Sequence, residues 1–330
     1  MTPLLSVRDL RTHFLADEGV VKAVDGVSFD VYPGRTLGVV GESGCGKSVT
    51  AHSILRIVEQ PGRIVGGQIL LRQSTSDIDL AQLTANGARM RSIRTGVIGY
   101  VFQEPMSSFS PVHTIGSQIV EAIRNHRQMS KHEARASAVE LLRRVGIPRA
   151  EDRMDEYAFQ LSGGLRQRAM IAMALSCDPR LLIADEPTTA LDVTTQAQIL
   201  ELLADLQEQT GMAIILITHN LGVVAEMADD VAVMYLGRIV EQGPVEDTFY
   251  ASKHPYTQLL LKSIPSIHSV RRSKLPTIAG SVPHLEQVPA IYHTVSGHTC
   301  SQVSRTRSSS PAVPRLRAAG AVRFGRMCPA

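Results

Sequence analysis

The sequence predicts an α/β fold in which short buried strands alternate with helices around a parallel sheet. Three observations carry that prediction. A glycine-rich turn, Gly41 to Ser48, lies between the apolar run Leu37 to Val40 and a stretch of helical character from Ser48 to Val58. Three further apolar runs, Leu181 to Ala184, Ala213 to Ile217 and Val231 to Tyr235, are too short for helices and are separated by helical segments such as Gln196 to Leu206. That is the pattern of strands buried on both faces. The 330 residues are 44% hydrophobic and 20% charged, which supports a sizeable core in about two structural units.

Ahead of the glycine-rich turn, residues 1 to 36 alternate apolar and polar positions, as in Val27-Ser28-Phe29-Asp30-Val31, on either side of Asp17-Glu18-Gly19. Period-two alternation about such a turn predicts antiparallel strands. Val97 to Phe102 reads as another strand, ending at Gln103. From Ile115 to Val145 the apolar residues Ile119, Val120, Ile123, Val139, Leu141, Leu142 and Val145 recur at helical spacing, so an inserted helical segment is expected. Beyond about Ser266 the periodicity fades into Pro, Ser, Arg and Ala.

Composition narrows the function. No apolar run approaches the roughly 20 residues of a membrane-spanning helix, and Met1-Thr2-Pro3-Leu4-Leu5 lacks the parts of a secretory signal. A cytoplasmic protein is expected. Cys45, Cys177, Cys300 and Cys328 are too scattered for a disulfide framework and include no Cys-x-x-Cys pair. The formal charge of +3 comes from residues 301 to 330, which hold six arginines and no acid, leaving 28 basic against 31 acidic residues before them. With 4% aromatics and no basic stripe in the body, nucleic acid is not an expected partner.

Gly41-Glu42-Ser43-Gly44-Cys45-Gly46-Lys47-Ser48 is a complete phosphate-binding loop. Its backbone N–H groups and the following helix start face phosphates, Lys47 reaches the terminal ones, and the Ser48 hydroxyl ligates Mg²⁺; Val49 follows directly. Asp185-Glu186 closes the apolar run Leu181 to Ala184, where Asp185 would join the Mg²⁺ shell and Glu186 would act as general base on a water. Ser162-Gly163-Gly164-Leu165 opens a second helix, to about Ser176, with a Ser cap and bare N–H groups. It is a second anion site. If the two loops lie on different lobes they cannot share one γ-phosphate within a subunit, so a head-to-tail pair of ATPases is expected.

These motifs together resemble the nucleotide-binding subunit of ABC transporters. In that family a phosphate loop, a strand-end glutamine, a Ser-Gly-Gly signature, an Asp-Glu strand end, an Ala-Leu-Asp loop and a histidine follow one another. Here they are Gly41 to Ser48, Gln103, Ser162 to Gly164, Asp185-Glu186, Ala190-Leu191-Asp192 and His219. The resemblance implies a P-loop NTPase fold of the ABC type, with an antiparallel β subdomain, an inserted helical subdomain over about 104–178 within an ATPase domain 1–265, and a C-terminal extension over 266–330. It further implies that Gln103 senses Mg²⁺ and contacts the transmembrane partner, that Asp192 crosses the dimer interface, that His219 contacts the γ-phosphate, and that Phe14 stacks on adenine. A core or surface role for Phe14 is the alternative. Leu165 stands where the family has Gln, and Asn220 where Asp is more usual; neither replaces a phosphate ligand.

Ser-Gly-Gly-Leu-Arg-Gln-Arg, Ile-Ala-Asp-Glu-Pro-Thr-Thr-Ala-Leu-Asp and His254-Pro255-Tyr256-Thr257 resemble the D-type ATPases of oligopeptide and dipeptide importers more closely. That implies an ATP-hydrolysing subunit at the cytoplasmic face of the membrane, paired with an F-type ABC ATPase, two integral permeases and an extracytoplasmic solute-binding protein. The classes left as alternatives are a soluble non-transport ABC ATPase and a subunit impaired in assembly by an altered tail. Ile278 to Leu285 still follows the importer pattern, which normally continues into a cysteine cluster able to hold iron and sulfur. Only Cys300 and Cys328 remain here, so no iron–sulfur cluster is expected, and divergence or disorder is expected after about residue 287. A frameshift is the competing explanation: back-translated with chosen codons, residues from Thr294 give Cys-Pro-Ala-Thr-Pro-Ala-Arg-Arg-Cys in a shifted frame.

Overall fold

The computed structural model describes residues 1–263, apart from residues 17, 18, 74 and 75. The turn residues Asp17 and Glu18, the extension from 266 onward and Cys300 and Cys328 therefore lie outside the described residues.

Strands β1 (Leu5–Ala16) and β2 (Gly19–Val31) form an antiparallel pair, as the alternation predicts. The chain then passes through β3 (Thr36–Val40) and α1 (Lys47–Ile54) to β4 (Gly62–Arg72) and β5 (Asp77–Asp79). After α2 (Ala88–Ile93) and β6 (Ile98–Val101) come five helices in succession. They are α3 (Pro105–Ser108), α4 (Ile115–His126), α5 (Lys131–Arg144), α6 (Ala150–Arg153) and α7 (Gly163–Leu175). The remainder runs β7 (Leu181–Asp185), α8 (Val193–Thr210), β8 (Ala213–Thr218), α9 (Leu221–Met227), β9 (Asp230–Tyr235) and β10 (Arg238–Pro244). It closes with α10 (Val245–Tyr250) and α11 (Pro255–Lys262).

Among the described residues the strands form two sheets. One has the order β2-β1-β4-β5; the other, β10-β9-β3-β8-β7-β6, is parallel except for its edge strand β10. The central strands β3, β7 and β8 are buried at every residue, which is why they read as continuous apolar runs. Their alternate side chains serve two different cores. Leu181, Ile183, Ile215 and Ile217 pack with α1 and the inner faces of β1, β2 and β4, whereas Leu182, Ala184, Ile214 and Leu216 pack under α4, α5, α7 and α8. Each fully buried Leu or Ile contributes roughly 1.5–3 kcal/mol.

Two elements differ from the sequence expectation. The helical run from Ile115 to Val145 is broken between His126 and Lys131, because Ser130 accepts from the Glu133 N–H while the Glu133 carboxylate accepts from the Ser130 N–H, a reciprocal cap that starts α5 afresh. Helix α1 stops at Ile54 rather than Val58 because Arg56 takes a left-handed conformation with φ 56°.

Candidate functional site

The parallel sheet delivers its strand ends to one edge. The turn Gly41–Gly46 leaves β3, Gln103 follows β6, Asp185 and Glu186 end β7, and His219 follows β8. Ligand sites of open α/β sheets lie outside such carboxyl ends.

At the glycine-rich turn, α1 begins with Gly46 in a left-handed conformation, φ 106°, and no side chain caps its first N–H groups. A Cβ at Gly46 would sit 2.2 Å from the Ala23 carbonyl oxygen, so only glycine fits there. The helix start is left with bare donors at its positive end. Lys47 Nζ, buried, donates to the carbonyls of Gly41 at 2.8 Å and Glu42 at 2.9 Å, and folds over the loop it would otherwise extend beyond. The Cys45 Sγ lies 3.9 Å from the same ammonium, and burial pushes its thiol pKa up.

Ser48 and Asp185, 137 residues apart in sequence, meet here: Ser48 Oγ donates to Asp185 Oδ1 at 3.1 Å, and Tyr100 OH donates to Oδ2 at 2.9 Å. Burial raises the Asp185 pKa against the opposing pull of these two hydrogen bonds. The hydroxyl and carboxylate oxygens together fit a small hard cation. Mg²⁺ takes oxygen ligands and needs only one or two carboxylates when phosphates supply the rest.

The neighbouring carboxylate has different surroundings. Burial raises the Glu186 pKa, but hydrogen bonds from Thr189 and His219 and the nearby charge of Lys47 outweigh it, so the group stays below the usual carboxylate range. Thr189 Oγ1 donates to Oε2 at 2.8 Å, Gln103 Nε2 donates to the same oxygen at 3.1 Å, and His219 Nδ1 lies 3.1 Å from Oε1. An ionised carboxylate only accepts, which makes His219 Nδ1 the donor. Glu186 also holds φ 47°, a conformation that costs a non-glycine residue energy and persists where the surroundings impose it. A held, ionised carboxylate at a strand end is equipped to take a proton from a water.

The second glycine motif lies elsewhere. Ser162 caps α7 by accepting from the Leu165 N–H at 3.4 Å. Gly164 faces Thr195 so closely that a Cβ would come within 2.8 Å of its Cγ2, and Gly163 faces Leu191. Thr195 in turn donates through its N–H and Oγ1 to Asp192, the cap of α8, at 2.9 and 2.7 Å. Ser162–Leu165 and Asp192 thus form one surface. Phe14 lies on β1 opposite Val21 and Gly62, with its ring against Gly62.

Residues 24–189 match the ABC transporter family model. The chain belongs to the ABC transporter ATP-binding family. Residues 240–301 additionally match the oligopeptide/dipeptide transporter C-terminal region. A probable peptide ABC transporter ATP-binding protein of Sinorhizobium fredii is 53% identical over 285 residues, covering 86% of this chain and 83% of the relative. An oligopeptide transport ATP-binding protein of Bacillus subtilis is 51% identical over 290 residues, covering 88% and 86%. Among solved structures, the dimeric form of a bacterial ABC transporter cassette aligns with a TM-score of 0.64 at 26% identity, over 73% of this chain and 98% of that one. The α/β ABC cassette expected from the motifs is the fold of this ABC ATP-binding protein, and no helix among its described residues is long and apolar enough to cross a membrane.

Three residues to which the sequence assigns no role support the ABC site. Tyr100 holds Asp185, Thr189 holds Glu186, and Tyr256 OH accepts from the Glu42 N–H at 3.1 Å. Tyr100 lies three residues before Gln103 on β6, paired with Ile183, a position readable only once the strand register is known.

Proposed function

We propose that this chain is the ATP-hydrolysing subunit of an importer for dipeptides or oligopeptides. The observation that carries the chemistry is the convergence of Lys47, Ser48, Asp185, Glu186, Gln103 and His219 on one edge of the sheet. The peptide assignment rests on the match over residues 240–301 and on the peptide-transport names of the relatives; these also favour an importer over a soluble non-transport ABC ATPase.

In this reading Gly41–Val49 wrap the ATP phosphates, and the backbone N–H groups of the loop other than that of Glu42 face them. Lys47 leaves its two carbonyl partners for the terminal phosphates, and Phe14 stacks on the adenine. Ser48, Asp185 and Gln103 hold Mg²⁺, which neutralises phosphate charge when bound. Glu186 accepts the proton of the attacking water, and His219 contacts the γ-phosphate while orienting Glu186. Ser162–Leu165 and Asp192 serve the ATP of a second cassette, so two sites close head to tail. The second cassette is an F-type ABC ATPase, and the pair sits at the cytoplasmic face of the membrane beneath two integral permeases fed by an extracytoplasmic binding protein. The ATPase domain spans 1–265 with its helical subdomain at about 104–178, and 266–330 is the extension.

The test is an affinity pull-down of tagged chain from detergent-solubilised membranes, followed by ATPase and peptide-uptake assays on the recovered assembly. Two permeases, a second ATPase and peptide-stimulated ATP hydrolysis are the expected result. Recovery of ribosomal or DNA-repair proteins, or of an assembly indifferent to peptides, would overturn it.

A further inference from the structure

Helix α11 begins inside the matched oligopeptide/dipeptide region, yet its first turn reaches the glycine-rich loop more than 200 residues earlier: Tyr256 OH and the Glu42 N–H are 214 positions apart and 3.1 Å distant. The tyrosine is fixed before it makes this contact. It is 6% exposed, and its ring centroid lies 4.4 Å from that of Tyr235 at the end of β9. The Glu241 carboxylate on β10 accepts from the N–H groups of Lys253 and His254 at 2.7 and 3.2 Å, and His254 Nδ1 caps α11 by accepting from the Tyr256 N–H at 3.2 Å. The hydroxyl is therefore presented to the loop by the rigid start of a helix, not by a mobile side chain.

The loop end of the contact is restrained at both poles of one residue. The Glu42 carbonyl accepts from Lys47 Nζ at 2.9 Å and from the Cys45 N–H at 3.3 Å, while its N–H goes to Tyr256. On the proposed function, Lys47 gives up its carbonyl partners when it reaches phosphate. Glu42 then loses one restraint at the moment the loop must keep its shape, and the bond to Tyr256 persists because it makes no use of Lys47.

We propose that Tyr256 is a positioning residue for nucleotide binding: its hydroxyl braces the phosphate loop through the Glu42 N–H and couples the peptide-importer C-terminal region to the ATP site. This inference rests on reading Gly41–Ser48 as the phosphate loop. Removing one neutral hydrogen bond from a pre-organised loop weakens binding by roughly 3- to 10-fold.

The experiment uses the full chain with two variants, Tyr256→Phe, which keeps the ring packing, and Glu42→Pro, which removes the N–H. Affinity for a fluorescent ATP analogue, thermal unfolding without nucleotide, and hydrogen exchange of the Glu42 amide are measured. Tyr256→Phe is expected to weaken nucleotide binding within the range above, speed exchange at Glu42 and leave the thermal midpoint nearly unchanged. Added to Glu42→Pro it should have no further effect, because the donor is already gone. Unchanged affinity and Glu42 exchange, or additive effects of the two variants, would overturn the brace while leaving the ATPase assignment standing. Failure of the unaltered chain to bind the analogue would overturn the phosphate-loop reading, and the inference with it.

Discussion

Ser48 Oγ donates to Asp185 Oδ1 across 3.1 Å, joining the helix that follows the glycine-rich loop to the carboxyl end of β7. One oxygen stands on α1, which follows β3, and the other at the end of β7. The sheet sets their separation, since β8 lies between β3 and β7 and pairs with both in register, and on the proposed function the two oxygens seat Mg²⁺.

The first prediction concerns that seat. Asp185→Asn keeps an oxygen to accept from Ser48, and the Tyr100 hydroxyl can accept from the new amide, so folding should survive. What is lost is the charge. Hydrogen bonds and contacts to a charged group are worth about 1.5–3 kcal/mol, so the Mg²⁺ concentration for half-maximal ATP turnover should rise by roughly 10- to 100-fold. A Mg²⁺ titration that superimposes on the unaltered protein would remove Asp185 from the cation shell.

Glu186→Gln separates binding from chemistry. The amide is nearly isosteric with the carboxylate and leaves Lys47 and the loop untouched, but it cannot accept the proton of a water. ATP affinity should be retained and single-turnover hydrolysis slowed by about 10²- to 10⁴-fold, the usual worth of a general base. Hydrolysis at the original rate would show that proton transfer runs through another group.

The short apolar strands β3, β7 and β8 and the glycine loop were legible because burial on both faces leaves a continuous hydrophobic run and because phosphate loops have fixed spacing. Asp185 and Glu186 were legible as a strand end for the same reason. What stayed hidden were bonds whose partners are distant in sequence. The hydroxyls of Tyr100 and Tyr256 reach residues 85 and 214 positions away, and no periodicity encodes such a pairing. The break between α4 and α5 was hidden for the opposite reason. Its signal is local, Ser130 and Glu133, but apolar residues at helical spacing stand on both sides of it and mask the cap. The strand β10 was missed because it is half-exposed at the sheet edge, where alternation is diluted by Arg238, Glu241 and Gln242.

A third prediction follows from the histidines. Burial lowers the pKa of His13, His52, His126 and His254 below the ordinary 6.5, although Asp25, Asp185, Glu59 and Glu241 pull some of them upward. The unfolded chain then holds more protons than the folded one as pH falls past the ordinary value, so stability is fully present above about pH 6.5 and declines below it. At His254 the cause is structural as well, since protonating Nδ1 replaces the acceptor for the Tyr256 N–H with a donor. His254→Asn supplies a cap that does not titrate. Thermal midpoints measured across this range should fall less steeply on acidification for the variant, while agreeing with the unaltered chain at neutral pH. Parallel curves would exclude the α11 cap as a contributor.

The last prediction tests whether the Ser162–Leu165 motif and Asp192 act as one surface. Gly164→Ala places a methyl 2.8 Å from Thr195 Cγ2, too close to be accommodated without movement, and the atom it displaces belongs to the residue that donates twice to Asp192. Overpacking of this kind typically costs about 1–3 kcal/mol, and loss of a helix cap about 1 kcal/mol. Gly164→Ala should therefore lower the thermal midpoint and also reduce ATP-dependent association with a second cassette. Thr195→Ser deletes the obstructing methyl but keeps the hydroxyl that bonds Asp192. If the clash is the cause, adding Thr195→Ser to Gly164→Ala restores both the midpoint and the association, although it does nothing useful in the unaltered chain. Recovery of the midpoint without recovery of association would mean that the added methyl itself faces the partner's nucleotide, and that Gly164 is required for contact across the dimer and not for the packing of α7 on α8.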